Sequence, residues 1–139
     1  MILLDTNVLS ELIKPRPHPG VVSWTRHSAG ALAIPTIAVA EMAFGIEKLA
    51  EGRRREDLLS GLHRLVTEFA DRLFDFNVNA AWAYARILAT ARKRGRPMSV
   101  PDAAIAAIAA ANDCALATRN VEDFATAGLQ LINPWQDST

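Results

Sequence analysis

Short apolar runs alternate with segments of helical periodicity along the whole chain, and this alternation constrains the fold more than any other feature. Such runs are typical of strands buried on both faces, and the segments between them are typical of helices packed on a sheet. The alternation therefore predicts an α/β fold with a parallel five-stranded sheet, helices on both faces and right-handed crossovers. The predicted strands are residues 1–5, 31–34, 73–76, 114–117 and 129–132.

The helical segments are bounded by residues that commonly begin or end helices. Thr36 is expected to be the N-cap of the third helix, Asn77 or Asn79 that of the fifth, and Gly52 and Gly95 follow helix ends. The length of 139 residues favours a single domain spanning 1–139. The predicted helices are residues 7–14, 19–28, 36–51, 54–70, 77–94, 102–112 and 120–127.

Composition excludes several classes of protein. The formal net charge is zero, which argues against a protein that coats nucleic acid without specificity. The only cysteine, Cys114, excludes an intrachain disulfide and a Cys-rich zinc site. The longest stretch without Asp, Glu, Lys or Arg, 27–40, and the alanine-rich stretch 103–112 are both shorter than the ~20 residues of a membrane helix, and no signal-peptide core is visible. We therefore expect a cytoplasmic protein without membrane association.

A functional site is expected at the carboxyl ends of the central strands. In an open parallel sheet, ligands bind outside those ends, at the point where the strand order reverses. The residues that follow the first and fourth strands are 5–7 (Asp-Thr-Asn) and 118–120 (Thr-Arg-Asn). These two segments are therefore the first places to look for chemistry.

Four acidic residues are candidate metal ligands and catalytic groups. Asp5 ends the first apolar run, and Glu41 is the only charged residue between 37 and 46, in a segment whose apolar character predicts a buried helix. Asp102 precedes an alanine-rich helix, and Asp123 lies one turn after Asn120. Taken singly, they are compatible with a helix cap, an ion pair with a residue such as Lys48, or solvated helix positions.

Together, the four acids predict a magnesium or manganese site. Converging carboxylates repel one another, and a divalent cation relieves that repulsion. Oxygen ligands without Cys or His suit Mg²⁺ or Mn²⁺, and such an ion can activate water for attack on a phosphodiester. Neutral hydrogen bonds around the ion could come from Thr6, Asn7, Thr118 and Asn120.

Four sequence blocks carry a family resemblance. They are LDTNVL (4–9), VAEMAFG (39–45) after Thr36, DAAIAA (102–107), and ATRN (117–120) followed by DF (123–124). In this order and spacing the chain resembles PIN-domain proteins, and more narrowly the toxin subunits of VapBC-type toxin–antitoxin pairs, including the FitB-like branch. The resemblance covers essentially the whole chain.

The resemblance implies a three-layer α/β/α fold with strand order 3-2-1-4-5 and Mg²⁺- or Mn²⁺-dependent cleavage of RNA, such as transfer RNA. Asp5, Glu41 and Asp102 match the three core acids by position. The fourth acidic position falls either on Asn120 or on Asp123, the available carboxylate, so the resemblance predicts one tightly held ion rather than two. The resemblance also implies a homodimer and a cognate antitoxin that blocks the acidic groove and itself binds operator DNA.

Basic residues near the loop 95–101 are candidate contacts to the RNA backbone. Arginine suits bidentate phosphate binding, although cations near a helix carboxyl end are also favourable as solvated residues. The solvated interpretation is preferred for a second basic run at 53–55. The candidates for RNA binding are Arg92, Lys93, Arg94, Arg96 and Arg119.

Other functions fit the sequence less well. An aspartyl-nucleophile phosphatase would need an acid where Asn7 stands, and glycine-rich nucleotide-binding and serine-hydrolase motifs are missing from the sequence. Two alternatives stay open. One is a PIN-like partner of a repressor with little or no catalysis, and the other is a nuclease that cuts DNA, since metal-binding acids do not distinguish the two nucleic acids.

Overall fold

Five short parallel strands form one sheet in the order β3-β2-β1-β4-β5 in a computed structural model that describes residues 1–136. The predicted parallel sheet and its strand order are confirmed, while the last three residues of the predicted domain, 137–139, lie outside the described residues. The strands are β1 (Ile2–Leu4), β2 (Leu32–Pro35), β3 (Leu73–Phe74), β4 (Ala115–Ala117) and β5 (Leu131–Ile132).

Residues 1–136 contain six α-helices, which connect β1 to β4 in chain order. Among them, α5 and α6 pack against each other, and α3 packs against α1 and α4. No helix within residues 1–136 has the length and apolar character that a membrane span requires. The helices are α1 (Thr6–Leu12), α2 (Pro19–His27), α3 (Thr36–Glu47), α4 (Arg53–Glu68), α5 (Val78–Lys93) and α6 (Val100–Ala111).

The register of the two central strands sets the position of the site. Leu4 of β1 lies opposite Ala117 of β4, and the Asp5 N–H continues the ladder by donating to the Ala117 carbonyl at 2.9 Å. Asp5 and Thr118 therefore leave the sheet side by side, at the carboxyl ends of neighbouring parallel strands. This is the location that the strand-end rule predicts.

The core holds the sheet in place from both faces. Leu3, Leu4 and Leu116 on the central strands have no exposed surface, and every residue of α6 from Ala103 to Ala109 is buried. Side chains as small as alanine let α6 approach the sheet and α5 closely, which fixes the position of its first turn.

Helix boundaries differ from prediction at several points. Thr36 is not an N-cap, because Pro35 occupies that position and no side chain caps α3. Asn77 caps α5, and Ser99 caps α6, so that α6 begins two residues before Asp102. The predicted helix 120–127 is only a 3-10 turn, Val121–Phe124, because a segment this short gains too few hydrogen bonds to offset helix nucleation.

The expectation that α3 is buried all round is wrong. Only Ala38, Met42 and Ile46 are buried, and Phe44 leaves 64% of its surface exposed beneath the ammonium of Lys48. The reason is that α1, α4, α6 and β2 contact only part of the surface of α3, so that within residues 1–136 Phe44 stays exposed. Apolar composition alone does not report whether the same chain supplies the covering surface.

Candidate active site

A cavity of about 400 Å³ opens at the carboxyl ends of β1 and β4. Three of the four predicted acids line it, although they come from distant parts of the sequence: Asp5 follows β1, Glu41 lies on α3 and Asp102 lies in the first turn of α6. The other lining residues are Thr6, Asn7, Ser10, Glu11, Lys14, Arg119, Asn120 and Trp135.

Asp5 is the most buried of the acids, with 4% of its surface exposed. Its Oδ1 accepts a 2.8 Å hydrogen bond from the Thr6 N–H, and its Oδ2 accepts one of 2.7 Å from the Thr118 hydroxyl. The Thr118 oxygen in turn accepts hydrogen bonds from Asn7 Nδ2 at 3.4 Å and from the Asn120 N–H at 3.0 Å. One buried hydroxyl therefore joins four of the predicted site residues.

Glu41 is tied to the segment that follows β1. The Thr6 hydroxyl donates a 2.7 Å hydrogen bond to Glu41 Oε1, so a residue at the start of α1 orients a carboxylate on α3. Thr6 thus contacts two acids, through its N–H and through its hydroxyl. The N–H is available for Asp5 because the first N–H groups of a helix have no partner within it and remain free to bind side chains.

Burial and mutual repulsion change the acidity of two of these groups. Desolvation raises the pKa of Asp5 from 3.8 to about 6, against the lowering effect of the Thr118 and Thr6 hydrogen bonds, and the charges of Asp102 and Glu41 raise it further. Desolvation also raises the pKa of Asp102, opposed by the Ser99 hydrogen bond and reinforced by the charges of Asp123 and Glu41. The acids are therefore close enough to destabilise one another when ionised.

The donor set fits a hard divalent cation in its chemistry. Three carboxylates face one cavity, two of them with raised pKa values, and hydroxyl and amide groups surround them. Within residues 1–136, no three His, Cys, Asp or Glu side chains are already grouped as closely as the ligands of a bound metal. The cavity thus offers suitable oxygen donors without a preassembled coordination shell.

Asn120 and Asp123 occupy different positions relative to the cavity. Asn120 lines it and reaches Thr118 through its N–H, whereas Asp123 is exposed on the following 3-10 turn and is not part of the lining. Asp123 nevertheless acts on the site through its charge, which contributes to the raised pKa of Asp102.

Two residues of the cavity were not predicted from the sequence: Glu11, which lies on α1, and Lys14, which follows it. Glu11 is buried, and its two oxygens accept hydrogen bonds from Lys14 Nζ and from the His18 N–H, both at 3.0 Å. Although burial opposes ionisation, the Lys14 and His18 contacts outweigh it and lower the pKa of Glu11. Glu11 lies one helical turn after Asn7, a spacing that places both on one face and could have indicated it.

The predicted RNA-binding residues are not all in the same place. Arg92 and Lys93 line a separate cavity of about 420 Å³ beside Pro97 and Met98, and Arg94 is exposed nearby. Arg96 is held by Glu122, whose carboxylate lies 3.2 Å from its guanidinium. Among the predicted basic residues, the structure brings Arg119 to the acid-lined cavity.

Trp135 also lines the cavity and was absent from the predicted site. It comes three residues after the end of β5, so it lies at the carboxyl end of a third strand of the sheet. The same strand-end rule that identified Asp5 and Thr118 could have identified it. The Cζ atom of Arg119 lies 5.0 Å from the centre of the Trp135 ring.

Comparison with known proteins places these residues in a family context. Residues 2–128 match the family described as PIN domain. The chain is 42% identical over 138 residues to the plasmid stability protein StbB of Pseudomonas syringae pv. tomato, covering 98% of this chain and 99% of that protein. It is 37% identical to the VapC ribonuclease Y4jK of Sinorhizobium fredii, again over 98% and 99% of the two chains.

A toxin from a third organism is similar in sequence, and a solved complex is similar in structure. The chain is 34% identical to the toxin FitB of Neisseria gonorrhoeae, covering 99% of this chain and 100% of that protein. The structure of FitAB bound to an IR36 DNA fragment contains a chain that superimposes with a TM-score of 0.90 at 34% identity, over 98% of this chain and 96% of that one.

Proposed function

This chain belongs to the PIN domain family, and from that premise we propose that it is a metal-dependent endoribonuclease that serves as the toxin of a VapBC-type toxin–antitoxin pair. The observation that carries the proposal is the convergence of Asp5, Glu41 and Asp102 on one cavity from three separate elements. Carboxylates that raise one another's pKa repel one another and so lower the stability of the native state. Groups arranged in this way are therefore typical of functional sites.

The proposed cofactor is Mg²⁺, with Mn²⁺ as a substitute, held by Asp5, Glu41 and Asp102. Asp123 is the proposed fourth acid, and Asn120 is the alternative donor at that position because it lines the cavity. When bound, the ion supplies a Lewis acid that activates water and stabilises the charge that develops on a phosphodiester. The oxygen-only donor set supports this choice of metal.

The remaining side chains of the site have supporting roles in this proposal. Thr118 and Thr6 hold the carboxylates of Asp5 and Glu41 in fixed orientations through hydrogen bonds of 2.7 Å. Asn7 offers its amide, which lies against Thr118 and the Arg119 N–H. Such preorganised groups reduce the rearrangement that the site needs when substrate arrives.

RNA is the proposed substrate, with transfer RNA as the first to test. Arg92, Lys93, Arg94 and Arg119 are the proposed contacts to its phosphates, because all four are exposed. Arg96 has a smaller proposed part, since Glu122 already binds its guanidinium. Hydrolysis by metal-activated water is expected to leave a 5′-phosphate and a 3′-hydroxyl.

The proposed protein partners are a second copy of the chain and a cognate antitoxin. Val78 and Trp82 on α5 leave 70% and 69% of their surface exposed, which supports a homodimer through this helix. The antitoxin would block the acid-lined cavity and bind operator DNA itself, so that DNA meets this chain only through the antitoxin. We expect the complex in the cytoplasm.

The decisive experiment compares wild-type protein, freed of antitoxin, with the Asp5→Asn variant on a transfer-RNA pool in Mg²⁺ and in Mn²⁺. Metal-dependent cutting by the wild type and its loss in the variant are expected. Asp123→Asn and Asn120→Asp, purified identically, test which residue serves as the fourth ligand.

Other outcomes point elsewhere. Equal cutting by wild type and Asp5→Asn would indicate a contaminant or a different site. If neither protein cuts RNA while both bind the antitoxin, the alternative of a catalytically weak binding partner would be favoured. Products ending in a 2′,3′-cyclic phosphate would contradict the hydrolytic route.

A further inference from the structure

Arg119 and Trp135 form a paired surface at one side of the acid-lined cavity. The guanidinium carbon of Arg119 lies 5.0 Å from the centre of the indole ring, and both side chains contribute to the cavity lining. A cation above an aromatic face at this distance is attracted by the ring quadrupole. Trp135 therefore holds the Arg119 guanidinium at the edge of the cavity that contains Asp5 and Glu41.

Hydrogen bonds to the backbone fix both residues of this pair. Asn133 accepts from the Trp135 N–H through Oδ1 at 3.0 Å and donates from Nδ2 to the Arg119 carbonyl at 3.5 Å. The Arg119 N–H donates to Asn7 Oδ1 at 3.2 Å, and Asn7 itself contacts the Thr118 hydroxyl that binds Asp5. The Arg119–Trp135 pair is thus connected to the most buried acid through a short series of hydrogen bonds.

The location of Trp135 gives the pair a rigid base. The residue follows the two-residue strand β5 after the buried Pro134, and its indole is half-buried against the core. An aromatic ring held in this way can contact a ligand without a large loss of side-chain entropy. Among residues 1–136, Trp135 is the aromatic side chain in the lining of this cavity.

We propose that Arg119 and Trp135 form a nucleotide-binding subsite, in which Trp135 contacts the base and Arg119 the phosphate of a nucleotide next to the cleaved bond. The inference rests on the proposed ribonuclease function and assigns a part of that site which the acids do not explain. Aromatic rings stack on nucleobases irrespective of sequence, and a guanidinium binds phosphate through paired N–H groups. Arg119 depends on Trp135 for its position, so loss of the indole should weaken both contacts.

Binding of single-stranded RNA without cleavage gives the direct test. The Asp5→Asn variant is titrated, in the presence of a chelator, with an adenosine oligoribonucleotide of about ten nucleotides and with an abasic ribose-phosphate chain of equal length. We expect the base-containing chain to bind about tenfold more tightly, and to quench tryptophan fluorescence. Trp135→Phe in the same background should remove that quenching while it retains most of the preference for bases.

Further variants separate the two residues of the subsite. Trp135→Ala is expected to abolish the preference for the base-containing chain. Arg119→Gln should weaken binding of both the base-containing and the abasic chain. It should also lower the slope of log affinity against log salt by about 0.7, the value for one phosphate of a single strand. Phe44→Ala removes an exposed aromatic side chain outside the cavity and serves as the matched control, with no change expected.

If the Asp5→Asn variant, in which Trp135 is unchanged, bound the base-containing and abasic chains with equal affinity, the proposal would be overturned. This outcome does not depend on whether Trp135→Ala folds. Unchanged base preference in a folded Trp135→Ala protein would overturn it as well. Because these titrations need no cutting, a failure of the subsite can be distinguished from a failure of the proposed function on which it rests. Cutting of RNA by the wild type together with no base preference would refute the subsite alone, whereas no cutting in Mg²⁺ or Mn²⁺ would refute the nuclease.

Discussion

The hydroxyl of Thr118 donates a 2.7 Å hydrogen bond to Oδ2 of Asp5, across the boundary between the two central strands. The two residues are 113 positions apart in the chain and adjacent in space, because β1 and β4 are parallel neighbours. Thr118 has no exposed surface, and its hydroxyl also accepts hydrogen bonds from Asn7 and Asn120. Removal of this hydroxyl would leave several polar groups without a partner at once.

Thr118→Val tests this hydrogen-bonding role, since valine keeps the shape of threonine without the hydroxyl. We expect a loss of about 2 kcal/mol in unfolding free energy, because a buried carboxylate oxygen and two donors lose their partner. The pKa of Asp5 should rise further, since one of its lowering contacts disappears. Chemical denaturation and NMR titration measure the two effects. Thr118→Ser keeps the hydroxyl and should stay close to wild type; equal loss in both variants would contradict the explanation.

Asp5 predicts an unusual dependence of stability on pH. The unfolded chain loses the Asp5 proton near pH 3.8, whereas the folded protein holds it until about pH 6. Between these values the folded state binds more protons, so the unfolding free energy of metal-free protein falls as pH rises and stays lower above pH 6. The total effect is about 3 kcal/mol.

Urea denaturation from pH 4 to pH 8 in a chelator measures this effect as the difference between wild type and Asp5→Asn. The variant has no charge at position 5 to gain, so its stability should not show the fall. Parallel pH profiles for the two proteins would show that Asp5 does not titrate as described.

The lowered pKa of Glu11 predicts the opposite change of unfolding free energy with pH. Its pKa is lowered in the folded state by contacts to Lys14 and the His18 N–H, so it contributes stability above pH 4.5 that disappears as the pH falls through the folded value. Glu11→Gln should cost about 1 kcal/mol near neutral pH, and the difference should shrink in acid. Urea denaturation of wild type and Glu11→Gln, near neutral pH and in acid, measures this difference in unfolding free energy. A constant difference at all pH values would mean that packing, and not charge, accounts for the loss.

Magnesium should stabilise the protein through the same acids. A ligand at about 100 times its dissociation constant adds about 2.7 kcal/mol to the unfolding free energy, so Tm should rise with Mg²⁺. Asp102→Asn removes one of the carboxylates that line the cavity and should reduce that rise. Glu122→Gln removes an exposed carboxylate outside the cavity and is the control, with the wild-type response. Identical magnesium responses in both variants would place the ion elsewhere.

The basic residues at the end of α5 should act on RNA through charge. Arg92→Gln with Arg94→Gln is expected to weaken binding and to lower the slope of log affinity against log salt by about 0.7 for each phosphate that the protein no longer binds. Arg53→Gln with Arg54→Gln removes two charges at the start of α4 and is the matched control. Filter binding at several salt concentrations measures the slopes. Equal changes in the two double variants would indicate a general effect of net charge.

The sheet and three of the cavity acids could be predicted because their signals are local. The apolar run before Asp5 predicts a buried strand, and the strand-end rule places Asp5 and Thr118 at one edge. Alternation of strands and helices does not give the strand order, which came from the family resemblance of the four sequence blocks. Glu41 was identifiable because it is the only charged residue in an apolar segment.

Features that depend on how separate elements meet could not be predicted in the same way. The pairing of Arg96 with Glu122, and of Arg119 with Trp135, joins loops whose relative position is set by the folded sheet. The exposure of Phe44 depends on which side of α3 the neighbouring helices cover. Periodicity describes one helix, and it carries no information about the packing of two.

The position of β1 at the centre of the sheet also has a consequence for synthesis of the chain. Asp5 is synthesised 113 residues before its hydrogen-bond partner Thr118, and β1 is likewise synthesised long before its neighbouring strand β4. A nascent chain that ends before residue 115 therefore contains Asp5 and Glu41 without the strand that completes their surroundings. The acid-lined cavity can therefore form only after β4 has been synthesised and has paired with β1, however early its first acid is made.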